Sequence, residues 1–245
     1  GYKDGLVFGN FEWLATFCLI LLGIVFAPFY FRSRVATLPE YLERRYSPAS
    51  RMVVAVMAIC GAMFIHIGVS LYAGATIIER FFGLDPLLSI LVISIATTIY
   101  TVAGGLKAVV VTEALQTVLL LIGAVIITVC GISALADQGI TTYAEFAQAA
   151  KPRQLSMLHA DGDYAWYAML LGYPVLGIWY WCADQTIVQR VLGARTQRDA
   201  QIGPLFAGFI KILPVFLMVL PGVIAYVLFH DLIGDDPDQT LPVLI

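Results

Sequence analysis

The sequence predicts an all-α polytopic membrane protein with six transmembrane helices, and three observations carry that expectation. Of its 245 residues, 60% are hydrophobic and 13% charged, whereas a soluble domain has about 45–50% apolar and about 25% charged residues; the mean hydropathy is +0.86. The apolar residues gather into six runs, approximately 6–31, 52–79, 86–103, 113–136, 164–187 and 202–229. Each is about the ~20 helical residues that a hydrocarbon core demands. The charges fall between the runs, and their sign alternates.

The first run opens with "GLVFGNFEWLA" and ends in an arginine-bearing connector, Arg32 and Arg34, followed by "TLPEYLERRY" (37–46). Thr37 and Glu40 have the spacing of a capping box. A short interfacial helix with Tyr41 and Leu42 toward lipid fits these residues, as does a solvated connector. The second run carries His66 in "MFIHIGVSLYAGA". The third and fourth runs are joined by "YTVAGGLKAVV" (100–110), whose glycines permit a tight hairpin. The connector between 137 and 163 is the longest, and "TTYAEFAQAA" in it predicts a short helix. The fifth run passes Gly172, Pro174 and Gly177, the interruption expected of a discontinuous transporter helix, and ends in "GIWYWCADQTIVQR". The sixth contains "FAGFIKILPVF".

Connectors one, three and five hold Arg32, Arg34, Arg44, Arg45, Arg51, Lys107, Arg190, Arg195 and Arg198, nine of the fourteen basic residues. By the positive-inside rule these loops are cytoplasmic and both ends of the chain are extracytoplasmic, in a plasma (cell inner) membrane. Cys18, Cys60, Cys130 and Cys182 all fall in the runs and read as small buried residues rather than a disulfide framework or zinc site. No phosphate-binding glycine loop and no basic-aromatic surface suited to nucleic acid is present. The chain reads as one transmembrane domain, 1–245, taken from the middle of something longer.

Ionisable groups in a span are costly and mark functional positions by default. Lys211 lies near Pro214 and Pro221; it either snorkels or lines a polar cavity. Glu12 sits beside Phe11 and Trp13, either in the headgroup zone or as a sugar-binding pair of carboxylate and ring. Trp179, Tyr180 and Trp181 form an interfacial belt if the fifth helix ends at Cys182, and lie too deep for one if it runs to 187. His66 reads as a core histidine. Glu113 opens the fourth run, where a carboxylate suits the helix dipole.

The motifs "FEW", "PFYFRSRVATLPEYLERRY", "YTVAGGLKAVVVTEALQTV", "GIWYWCADQTIVQRVLGA" and "KILPVFLMVLPG" together resemble the sodium/solute symporter family, in its sodium/glucose cotransporter branch. The resemblance covers nearly the whole chain, as core helices two to seven. It implies a partial inverted-repeat, amino-acid-symporter-like core. It further implies sodium-coupled symport of a glucose- or galactose-like sugar by alternating access, with no enzymatic chemistry and no covalently bound cofactor. Phe11, Glu12, Tyr180, Trp181 and Lys211 match the family's sugar-binding positions, and Glu113 matches an acidic residue on the sodium exit path. Na⁺ is the implied coupling ion. Its main site is expected on helices outside this chain, so no metal ligand is assigned here. His66 and Ser70 depart from the animal glucose carriers, which have lysine and aspartate there. The alternatives are another small solute (an amino acid, sialic acid, a vitamin or an anion) or a sensor that binds solute without moving it.

Overall fold

A computed structural model describes all 245 residues. The chain is helical apart from turns and one isolated bridge between His159 and Ala165. Four helical runs are long and apolar enough to cross a membrane: Gly5–Ser33, Pro48–Phe82, Pro86–Asp137 and Gln197–Ile233. The first, second and last are α1, α3 and α10. Between α1 and α3 lies α2, Leu38–Arg45.

The run Pro86–Asp137 is two helices, α4 (86–104) and α5 (106–137), meeting at Gly105 (φ 57°, ψ −156°). That conformation is essentially confined to glycine. A straight helix of 52 residues would extend roughly 78 Å, more than twice a bilayer core. The contacts show a reversal instead. Ile93 of α4 lies against Gly74 of α3, while Leu106, just past the turn, meets Gly193 at the arginine-rich end. Farther along α5, Gly131 packs on Ile224 of α10. The turn therefore takes a single residue, where the sequence suggests a connector from 104 to 112.

The long connector carries α6 (Tyr143–Ala149), with a complete capping box between Thr142 and Glu145, and α7 (Pro152–Leu155). In α2 the box is incomplete. Thr37 caps the Glu40 amide, but the Glu40 carboxylate reaches back to the Ala36 N–H at 2.8 Å. That backbone donor, with Arg44 beside it, holds the Glu40 carboxyl below its ordinary value.

The fifth span departs from its expected form. Gly172, Pro174 and Gly177 stay inside an unbroken helix, α8 (Trp166–Ile178), which continues as a π-helical turn, Trp179–Ala183. The interruption falls later, at Asp184, whose extended backbone and side chain cap a second helix, α9 (Gln185–Leu192). Proline removes one N–H from α8 and crowds the preceding turn, yet α8 stays wound, whereas the Thr186 amide donates to the Asp184 carboxylate at 2.8 Å and favours a restart there. A terminal helix, α11, spans Thr240–Leu244.

Only 41 of 245 residues are buried, as expected where apolar side chains face lipid rather than water. The densest packing is where α1 runs between α8–α9 and α10, around Leu19, Leu22, Ala27, Cys182, Val191 and Ala200. Small residues make it possible. A Cβ on Gly23 would lie 2.9 Å from the Gln201 carbonyl. Thr16 donates across the same interface to the Gly208 carbonyl at 3.1 Å, and Tyr30 to that of Cys182 at 2.6 Å. Cys18 and Cys182 are buried, as the sequence suggests, but Cys60 and Cys130 point outward; a thiol facing hydrocarbon leaves no strong polar group unsatisfied.

Candidate functional site

α1 carries Glu12 about two turns from its start at Gly5. Asn10, two residues earlier, fixes that end by donating to the Met157 carbonyl at 2.6 Å. Opposite, α10 loses its regular winding at Lys211–Leu213, where Ile212 and Leu213 bond three residues back to Phe209 and Ile210. Pro214, with no N–H, and the π-helical turn Val215–Val219 come next. The Ile212 carbonyl, freed by this break, accepts from the Trp13 indole at 3.4 Å. The break presents Lys211 to α1, and its Nζ reaches Glu12 Oε2 at 2.6 Å.

The pair is partly shielded, with side chains 28% and 27% exposed. Lys211 Nζ also lies 5.2 Å from the centre of the Trp181 ring, within cation–π range. Trp181 meets Tyr180 edge-on, centroids 5.0 Å apart at 90°. Its indole N–H donates to the Tyr173 hydroxyl at 3.4 Å, and Tyr173 stands edge-on to Phe11 at 5.7 Å. Phe11 in turn lies edge-on to Tyr164, and with Phe8 they form an aromatic group near the start of α1.

The structure thus brings Glu12, Lys211, Trp181, Tyr180 and Phe11 together from three helical segments. Lys211 and Glu12, read separately from the sequence, meet each other directly. Glu113 is elsewhere: near the arginine-rich end its two oxygens accept from Arg190 Nε, at 3.1 Å, and from Nη2. Sequence reasoning missed Tyr173, which joins Phe11 to Trp181. Its one signal is its spacing of seven and eight residues from Tyr180 and Trp181, about two helical turns. It also missed that His66 lies against Tyr180, with ring planes 7° apart and centroids at 6.3 Å.

Chemically, the cluster sets a partly shielded carboxylate acceptor and ammonium donor in direct contact, with the Trp181 and Tyr180 rings beside them. No three His, Cys, Asp or Glu side chains gather to hold a metal ion.

Comparison with known proteins agrees with this architecture. The sodium:solute symporter family model matches residues 1–243. The chain is 39% identical over 242 residues to a sodium/mannose cotransporter of Bos taurus, covering 92% of this chain and 40% of that protein. It is 35% identical to sodium/glucose cotransporter 1 of Ovis aries, covering 94% and 38%. Sodium/myo-inositol cotransporter 2 of Mus musculus is 39% identical, covering 94% and 37%. The chain therefore spans well under half the length of these relatives. The fold also matches a solved Na⁺-coupled sialic acid symporter, in a substrate-bound outward-open state, at TM-score 0.83 and 24% identity over 99% of this chain and 52% of that one. On these grounds the chain belongs to the sodium:solute symporter family, as an all-α segment of its transporter core.

Proposed function

We propose that this chain supplies the solute-binding part of a carrier that moves a sugar across the membrane with sodium by alternating access. The observation that carries the reading is the convergence of Glu12, Lys211 and the Trp181–Tyr180 rings from three separate spans. A hexose needs such a set: an acceptor and a donor for its hydroxyls, and a flat apolar surface for its C–H face. The guest enters between Glu12 and Lys211, each of which exchanges its partner for a hydroxyl. Tyr180 and Trp181 cover the ring, and Phe11 closes the opposite side. The names of the sodium/mannose, sodium/glucose and sodium/myo-inositol relatives support a polyhydroxylated solute.

Sodium is the coupling ion in this reading, held mainly by parts of the carrier outside this chain. Its entry down a membrane potential supplies about 2.3 kcal/mol per 100 mV for each ion. Glu113 lies on the ion's exit route, where Arg190 must release it. The arginine-rich connectors face the cytoplasm and both chain ends face outward, across a plasma (cell inner) membrane.

The test uses the full-length parent in proteoliposomes, with labelled sugars and an imposed sodium gradient. Glu12→Ala and Lys211→Ala are each expected to abolish concentrative sugar uptake while leaving membrane insertion intact. Wild-type uptake kinetics in both variants sink the site. Solute-evoked current without accumulation by the unmodified protein replaces the carrier with a sensor.

A further inference from the structure

α3 stands apart from the rest of the bundle along much of its length. Met63, Phe64, Ile65 and Ile67 are each more than half exposed, and the main neighbours of α3 are α2 at one end and α4 along its other half. His66 differs from the residues on either side of it. It is half-buried, and its imidazole lies parallel to the Tyr180 ring. Both rings also sit in π-helical turns, Ala62–Ile67 and Trp179–Ala183. Such turns widen the backbone locally, re-aim a side chain and recur at functional sites.

His66 approaches the bundle with its imidazole parallel to the Tyr180 ring, centroids 6.3 Å apart, and makes no side-chain hydrogen bond, so its two nitrogens are not spent on another group of the chain. An imidazole carries a donor and an acceptor in its neutral form. Placed in a span among apolar neighbours, such a group is costly unless it faces a polar guest or partner. The ring it faces is the one that, in the proposed site, lies against the sugar. Tyr180 thus links His66 to Trp181, Lys211 and Glu12 in one continuous series of contacts drawn from four spans.

We propose that His66 is a solute-contacting residue that sets specificity at the Tyr180 end of the site, by hydrogen-bonding one hydroxyl of a guest that lies against the Tyr180 ring. The proposal rests on the sugar-carrier reading above and adds a fourth helix to the site. It separates two jobs that a histidine does here: the ring face supports Tyr180, and the nitrogens read the guest.

Two substitutions divide those jobs. His66→Phe keeps a ring beside Tyr180 and removes the nitrogens; His66→Gln keeps a donor and an acceptor and removes the ring. Sodium-dependent uptake of glucose and of its single-deoxy analogues is measured with the full-length parent in proteoliposomes. The unmodified protein is expected to discriminate against one analogue, the one lacking the hydroxyl that His66 reads. In His66→Phe the KM for glucose is expected to rise roughly tenfold, the size of one lost hydrogen bond, while the KM for that analogue stays unchanged. His66→Gln is expected to keep the discrimination. Wild-type discrimination in His66→Phe, or an equal loss for every sugar in that variant, overturns the proposal and leaves the carrier reading standing. Absence of sugar uptake by the unmodified parent overturns the carrier reading itself.

Discussion

At the scale of residues, the site is held by contacts that each look modest and gain force by sharing members. The Glu12–Lys211 pair is partly open to solvent, and pairs of that kind contribute little on their own. What distinguishes it is the Trp181 ring beneath the ammonium and the Tyr173 hydroxyl that takes the indole N–H. Trp181→Ala, which removes both, is expected to raise the KM for sugar uptake by roughly 3- to 30-fold. Trp181→Phe, which keeps a smaller face, is expected to fall between that variant and the wild type. Equal KM values in all three proteins would remove Trp181 from the site. Glu12, Lys211, Tyr180 and Trp181 were legible in the sequence because charge and clustered aromatics stand out in an apolar run. Tyr173 was not, because a single tyrosine in a span reads equally well as an interfacial anchor. The Glu113–Arg190 pair joins residues 77 positions apart, and only the folded bundle makes them neighbours.

At the scale of elements, the breaks between helices obey local chemistry that hydropathy does not register. A Gly-Pro-Gly stretch in α8 draws attention as the place to interrupt a span, yet it stays wound. The chain gives way instead at Asp184, which caps α9, and at Lys211–Leu213, where Trp13 takes up a freed carbonyl. The turn between α4 and α5 is narrower than its sequence suggests, because one glycine suffices when its backbone adopts a conformation closed to other residues. Gly105→Ala is therefore expected to cost about 1–3 kcal/mol, read as a lower unfolding temperature of the purified protein in detergent. Gly203→Ala is the control: Gly203 is helical and has open space around the added methyl. It should be neutral or slightly stabilising. An unchanged unfolding temperature for Gly105→Ala would mean the hairpin is not built on that residue.

For the whole molecule, the sequence expects six passages, and the contacts gather at two ends. The arginine-rich end gathers Leu106, Glu113, Arg190 and Gly193; the other gathers the first residues of the chain, the 151–164 segment and the end of α10. Cysteines introduced at Lys151 and Arg195 in a cysteine-free background test which side is which. In intact cells an impermeant maleimide is expected to label Lys151→Cys, and to label Arg195→Cys only after permeabilisation; the opposite pattern inverts the orientation. One arrangement inside this frame bears on how fast such a protein can work. Glu12 and Lys211 already satisfy one another, so in the proposed site an arriving hydroxyl would gain its bonds by dissolving theirs, and most of the gain would cancel. Cargo held on such terms would be recognised by shape yet released without a steep climb, which would suit a machine judged by cycles completed rather than by tightness of grip.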